Sequence, residues 1–393
     1  MKHKKELSVL YIITKLELGG AQKVCLSLFE GVHQEGIQSF LLSSADGKLV
    51  NTVINNPRAI LLPALKREIA LGALWQEFRC FITMISTIRH LKKEHPGLIV
   101  HTHSTKAGIM GRWAAFFAGV QQRIHTVHGY AFHDHQSRLS WWLIYLAELM
   151  TSFVTTHFVC VSSADVKTGI KLFPWFAKKH SIIRAAVDWQ QFYQPARTAL
   201  PTPSATQPFI VGTVACFKPQ KNMFDLLRAI EKVYHTDQRI RLEIIGDGDL
   251  RSAIETWLHE HKLTHIVTLH GWQNHIAPFM FDWHAFALSS LWEGLPCAIV
   301  EARLLKLPVI SYTTGGIADV ITHGTNGLLC EQKEWAKLAD AILHVMHDHK
   351  LYSQLQTYND DLYDFKDSAM VSEHCSLYQS LNEKKSLQKN TPR

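Results

Sequence analysis

Two glutamates, Glu293 and Glu301, stand eight positions apart in the stretch SSLWEGLPCAIVEARLLKLPVISYTTGG. The stretch reads as a strand end, a tight acidic loop and a helix that opens at Pro296. One carboxylate then sits on the loop and the other one to two turns along the helix. Both can face one pocket. Carboxylates there would accept from sugar hydroxyls, while the backbone N–H groups of Gly294 to Cys297, at a helix N-terminus, would receive a diphosphate. A pair of solvated surface glutamates is the ordinary alternative. Against it, Glu301 lies between Val300 and Ala302 with Ile299 and Leu304 close by, on a helix with little polar surface.

Other segments carry residues of matching chemistry. Lys218 and Lys221 in CFKPQKN precede a helix expected near Met223, where a lysine adds a point charge to the helix dipole and would counter a diphosphate leaving group. Gly246-Asp247-Gly248-Asp249, His270-Gly271-Trp272 and Gly315-Gly316 follow strand-like runs, as does the pair Gly19-Gly20 near the start. Asp247 and Asp249 invite a divalent-metal reading, but a strand-to-helix turn calls for glycine dihedrals and aspartate caps anyway. The histidines His101, His103, His125, His128, His133 and His135 lack the i, i+4 spacing with a nearby glutamate that marks a zinc hydrolase. No metal site is expected. His128 stands apart because it directly follows the strand-like Ile124–Val127 and would face a cleft between domains.

The elements that must position these groups are legible as periodicity. Leu7–Ile13, Phe40–Ser43, Leu98–Thr102, Ile124–Val127 and Phe158–Val161 read as buried strands; Ala21–Val32, Leu74–Leu91, Lys106–Ala118 and Ser163–Leu172 read as helices. The polar, proline-rich PARTALPTPSATQP reads as a linker. After it the alternation restarts with strands at Phe209–Ala215, Leu242–Ile245, Ile266–Leu269, Ala285–Leu288 and Val309–Ser311. That predicts an α/β protein of two Rossmann-like domains: 1–193, a linker 194–208, 209–367, and a C-terminal helix with a polar tail over 368–393 that could pack back on the first domain. In open parallel sheets ligands bind beyond the carboxyl ends of the strands, where every segment named above falls.

Composition agrees with a large globular core, 47% apolar and 19% charged over 393 residues. Seven cysteines without a Cys-x-x-Cys pair suit a reducing compartment. Leu139–Phe158, the most membrane-like stretch, is interrupted by Glu148 and His157, so no transmembrane segment is expected. Residues 1–196 hold 22 Lys and Arg against 12 Asp and Glu, whereas the remainder is net acidic. This asymmetry suggests an anionic partner for the first half: nucleic acid, an anionic membrane surface or a phosphorylated substrate. An anionic membrane surface is the expected one, with Lys66-Arg67, Lys92-Lys93 and Lys178-Lys179 beside Trp141, Trp142 and Trp175 as contacts. No recognised nucleic-acid motif is present, and no nucleic-acid partner is expected.

With these residues in hand, the chain resembles the retaining glycosyltransferases of the GT-B fold, family 4, of the kind that builds bacterial surface polysaccharides. The resemblance is strongest over Phe209 to Cys330, where Gly-x-Val-Ala, Pro-Gln-Lys-Asn, Gly-Asp-Gly, His-Gly-Trp, Glu-x7-Glu and Gly-Gly occur in order. It extends more weakly over Gly19–Gln22, His103–Gly129 and Val187-Asp188. It implies two Rossmann-like domains facing across a cleft. Glu301 would bind ribose, and Glu293 with the backbone of Gly294 and Leu295 would hold the donor sugar. Lys221 would bind the diphosphate with help from Lys218 and, across the cleft, the Gly19 and Gly20 amides; Gly246 and Trp272 would complete the donor site, and His128 would orient the sugar. It further implies a nucleotide-sugar donor, a polyprenyl-diphosphate-linked or other glycan acceptor, no cofactor or metal, and a place at the cytoplasmic face of the inner membrane. Two departures stand out: Cys216 occupies the position of a family arginine, leaving Lys218 as the cation that could substitute, and Ala185-Ala186 replaces an Asn-Gly turn. Sugar-nucleotide 2-epimerases share the architecture but lack this Glu-x7-Glu loop. A non-catalytic scaffold subunit would have no use for both glutamates and Lys221.

Overall fold

The computed structural model describes residues 7–65, 74–133, 135–193, 204, 206–358 and 361–390. The chain forms two compact units, one built from the chain up to Ala186 together with Asp364 onward, the other from Val187–Tyr363.

The first unit alternates β1 (Leu7–Ile12), α1 (Gly20–Gln34), β2 (Gln38–Ser43), β3 (Ala59–Leu61), α2 (Leu74–Glu94), β4 (Gly97–Thr102), α3 (Thr105–Phe117), β5 (Gln122–Val127), α4 (Arg138–Val154), β6 (His157–Cys160), α5 (Ser163–Leu172) and β7 (His180–Ile182). Its seven strands form one parallel sheet in the order β3-β2-β1-β4-β5-β6-β7, in register Leu10 with Phe40 and Val100, and His101 with Ile124. Val9 to Ile13 are wholly buried, as a strand covered by helices on both faces must be.

The second unit contains α6 (Trp189–Phe192), β8 (Phe209–Val214), α7 (Met223–Thr236), β9 (Ile240–Ile245), α8 (Arg251–Glu260), β10 (Val267–Gly271), α9 (Ala277–Met280), β11 (Ala285–Leu288), α10 (Cys297–Leu304), β12 (Val309–Tyr312), β13 (Gly327–Cys330), α11 (Trp335–His347) and α12 (His349–Thr357). Its parallel sheet runs β10-β9-β8-β11-β12-β13. Gly212 on β8 leaves room for the fully buried Trp283 ring; a Cβ there would come within 1.8 Å of it. The expected pair of Rossmann-like parallel sheets is therefore present.

The last helix, α13 (Asp367–Asn390), belongs to the first unit. It packs along α1, where Ser27 Oγ donates to Asp367 Oδ1 at 2.9 Å, and its Tyr378 hydroxyl meets Tyr11 Oη of β1 at 3.0 Å. The helix runs on to Asn390, through polar residues that the sequence leads one to expect in a tail. The division between units falls at Val187, earlier than the anticipated 193. Residues from 187 on pack with the second unit: Gln191 in α6 accepts from the Ala277 amide at 3.4 Å. Of the proline-rich linker 194–208, all but 204 and 206–208 lies outside the described residues.

Candidate active site

At the carboxyl edge of the second sheet, the loops after β8, β11 and β12 are tied into one structure. The loop after β8 ends in a 3-10 turn, Pro219–Lys221, followed by Asn222 in the left-handed conformation at φ +46°. Asn222 Nδ2 holds that geometry by donating to Asp225 Oδ2 at 2.6 Å, and Tyr312 Oη donates to the same oxygen at 2.9 Å. Ser289 Oγ, just past β11, donates to the Lys221 and Asn222 carbonyls. Gln220 reaches the acidic loop: its side-chain amide donates to the Trp292 carbonyl at 2.7 Å, and its backbone carbonyl accepts from the Leu291 N–H at 2.8 Å.

Within this frame Lys221 Nζ donates to Glu293 Oε1 at 2.5 Å, with side chains 18% and 8% exposed. The two residues expected to hold opposite ends of a ligand are thus each other's partners here. Gly315 and Gly316, after β12, buttress the acidic loop. The Gly316 N–H donates to the Gly294 carbonyl at 2.6 Å, while Gly315 at φ +50° lies so close to the Glu293 carbonyl that a Cβ would come within 2.0 Å. Leu295 is buried, and α10 opens at Pro296 with no side-chain cap on its first turn, the arrangement an anion would complete. Glu301 is buried in the second turn of α10.

Lys218 precedes the 3-10 turn, half-buried and with no carboxylate partner among the described residues. Gly246, at φ +137°, allows the turn after β9 to approach the Ala215 carbonyl, which a Cβ would meet at 2.0 Å. Asp247 is engaged by Arg251 at 3.0 Å and by the Gly248 N–H at 2.8 Å, and Asp249 is exposed. Among the described residues no three His, Cys, Asp or Glu side chains are grouped to hold a metal ion. Trp272 is 36% exposed beyond β10, whereas its neighbour His270 faces Glu243 at 3.3 Å.

On the first unit, the carboxyl ends of β1, β4 and β5 are joined by side chains. Thr14 Oγ1 and Ser104 Oγ lie 2.8 Å apart, and the Ala107 N–H donates to Thr14, anchoring the start of α3. Ser104 adopts φ +62°, a costly conformation for a residue with a Cβ. Gly19 caps α1, but its N–H already donates to the Glu17 carbonyl at 2.9 Å; the Gly19 amide expected on a diphosphate is therefore engaged, and Gly20 begins the helix.

His128, just past β5, faces His103 with its Nε2 2.9 Å from His103 Nδ1. Burial, with His374 close by, pushes His128 down to about 4, and burial with His128 adjacent holds His103 well below the usual histidine range. Both rings are neutral near pH 7, so one donates and the other accepts. His103 Nε2 is buried without a partner. An orphaned N–H there would cost more than an orphaned lone pair, so His103 donates through Nδ1 and His128 carries its own proton on Nδ1. Behind them His101 bridges Thr126 Oγ1 at 2.7 Å and Tyr378 Oη at 2.6 Å, linking this edge to α13. His103, Gln220 and Asn222 carry roles that the sequence does not single out; the first is one histidine among 24, and the other two flank a lysine whose charge is the more conspicuous signal.

Residues 18–191 match the family described as Glycosyltransferase Family 4, and residues 200–361 the family described as Glycosyl transferases group 1. The chain is 31% identical over 343 residues to the UDP-Gal:alpha-D-GlcNAc-diphosphoundecaprenol alpha-1,3-galactosyltransferase of Escherichia coli, covering 85% of this chain and 86% of that one. It is 24% identical to the capsular polysaccharide biosynthesis glycosyltransferase CapM of Staphylococcus aureus, covering 78% of this chain and 80% of that one. In fold it is similar to Anabaena Alr3699/HepE in complex with UDP and glucose, with TM-score 0.74, 17% identity and coverage of 97% and 99%. The sucrose-phosphate synthase of Thermosynechococcus elongatus gives TM-score 0.77 at 19% identity, covering 95% and 99%.

Proposed function

The chain belongs to the group 1 and family 4 glycosyltransferases of GT-B fold, and we propose that it moves a hexosyl or N-acetylhexosaminyl group from a UDP-sugar, with retention, onto a lipid-linked glycan at the cytoplasmic face of the membrane. Its place is in surface polysaccharide assembly, and galactose is the first donor sugar to test, since that is what the Escherichia coli relative's name specifies.

The Lys221–Glu293 pair beside the uncapped start of α10 carries this reading. Donor binding would divide the pair: Lys221, with Lys218 and the α10 amides, moves to the diphosphate, and Glu293 accepts from sugar hydroxyls. Glu301 accepts from ribose. In the transfer, the bond from the anomeric carbon to the phosphate oxygen breaks and the bond to the acceptor oxygen forms on the same face. The acceptor's hydroxyl proton passes to the departing phosphate oxygen. Cationic and amide groups that stabilise the growing phosphate charge then supply most of the rate. His128, protonated on Nδ1, offers a neutral donor to a sugar hydroxyl.

Purified protein incubated with a panel of UDP-sugars and a short-chain GlcNAc-diphosphate-lipid analogue tests the reading, with the anomeric configuration of the product read by NMR. An α-linked product from an α-linked donor is expected. An inverted product, or interconversion of the sugar without transfer, overturns it.

A further inference from the structure

We propose that the outer face of α2, α3 and α4 is a bilayer-docking surface that sinks into an anionic leaflet; this rests on the lipid-linked acceptor proposed above. On α4, Leu139, Trp142, Leu143, Leu146, Met150 and Phe153 recur at helical spacing and are all exposed, Leu139 by 70% and Phe153 by 60%. The face continues across α3, which packs against both α2 and α4. Phe116 and Phe117 are exposed at its end, Phe117 stacks on Trp113, and Trp113 donates to Thr151 of α4. Phe81 meets Phe117 edge-on, and Trp75, Phe78 and Ile82 extend the surface along α2. A contiguous apolar area of this breadth is unusual on a protein facing water alone.

Its charges select the occupant. Glu148, the one acid on α4, points inward to Arg112 at 2.8 Å and is buried, so the exposed face of that helix carries no acid. On α2, Glu77 is paired with Lys106, and Glu94 lies at the far end beside His90. The border is basic: Arg79 and Arg138 are exposed, Arg89 donates to the Phe117 carbonyl, and Arg123 covers Phe116. Tryptophan, phenylalanine and leucine ringed by arginine suit a helix lying in the headgroup region of an anionic leaflet. Among the described residues no helix is long and apolar enough to cross a membrane; in the proposed contact α4 lies in the plane of the leaflet.

Of the expected basic contacts Lys93 and Lys178 are exposed, but their neighbours are not free. Lys92 donates to the Ala118 and Gly119 carbonyls and Lys179 to those of Ser152 and Thr155, so both are engaged within the protein. Lys66 and Arg67 lie outside the described residues.

Sedimentation of the full chain with phosphatidylglycerol–phosphatidylcholine vesicles containing no acceptor tests the surface by itself. The wild type is expected to sediment with them and to be released by high salt. The double variant Trp142→Glu/Leu143→Glu should lose at least ten-fold in partition while keeping the wild-type far-UV circular dichroism and protease resistance of the first unit, the part that carries α4. Arg79→Glu and Arg138→Glu, gentler changes, should each lower partition about five-fold. No vesicle binding by the wild type, or equal binding by the double variant, overturns the proposal. So does a wild-type dimer in solution that the double variant makes monomeric without any vesicle partition, since a second copy would then be the occupant. Transfer to a water-soluble acceptor analogue is read separately, so failure of the transferase reading is distinguishable from failure of the surface.

Discussion

Lys221 and Glu293, 72 positions apart in the chain, form a largely buried ion pair at 2.5 Å, with Gln220 and the Gly315-Gly316 backbone fixing the loops on either side. Removing one partner leaves an uncompensated charge with little solvent, whereas removing both does not. Lys221→Met is expected to lower stability on the order of 3 kcal/mol, with Lys221→Met/Glu293→Gln recovering much of it. Both variants should lose transfer about a hundred-fold or more, because the leaving diphosphate loses its cation in each. Thermal unfolding measured beside kcat separates the two effects. Equal stability loss in the single and double variants would show that the pair is not coupled.

Glu301→Ala should weaken UDP binding by roughly 1.5–3 kcal/mol through loss of carboxylate hydrogen bonds to ribose, with little change in fold. Calorimetry with UDP reads this directly. Unchanged affinity would remove Glu301 from the nucleotide site.

His103 acts by fixing the proton of His128 on Nδ1, so its shape matters more than its basicity. Asparagine places an N–H close to the position of an imidazole Nδ1–H, and leucine does not. His103→Leu is expected to reduce kcat roughly ten-fold, the worth of one hydrogen bond, with His103→Asn retaining most of the activity and neither altering KM for the nucleotide sugar much. Equal losses in both would point to a packing role alone.

Stability should fall on acidification. His128 and His374 are pushed down to about 4 by burial, and His101, His103 and His125 are also held well below the usual histidine range by burial. Between about pH 6.5 and 4 the unfolded chain therefore binds protons that the folded chain refuses. Stability is fully present above the unfolded value and is lost as pH drops through this window, at up to about 1.4 kcal/mol per pH unit for each such histidine. Urea unfolding at stepped pH should give a flat plateau above about pH 7 and a steep decline below about 6. His374→Leu should make the decline shallower.

Transfer is expected to survive EDTA, because Lys218, Lys221 and the start of α10 provide counter-charge and Asp247 is committed to Arg251. Activity lost on chelation and regained with Mn²⁺ or Mg²⁺ would contradict this.

Central strands are legible in the sequence because burial on both faces makes them short apolar runs, as in β1, β4 and β11. The edge strands β3 and β7 are not, since their residues are only partly buried and three residues carry no period. Helix α4 resembles a membrane span because both its faces are apolar, one against the core and one outward; only its neighbours reveal which is which. At the site, Glu293, Lys221 and the glycine pair can be named from the sequence, but the pairing and the buttress are contacts between distant loops. The His103–His128 bond likewise depends on the register of β4 beside β5.

Because α13 completes the first unit from the far end of the chain, that unit closes only after the second has been synthesised. A ribosome emits the first sheet with Tyr11 and His101 lacking Tyr378, then the whole second unit, and finally the helix that covers them. The second unit, contiguous in sequence, can fold on emergence, whereas the first lacks α13 until synthesis ends. A premature stop near residue 364 would therefore spare the part that holds Lys221 and Glu293 and leave the earlier-made part unfinished.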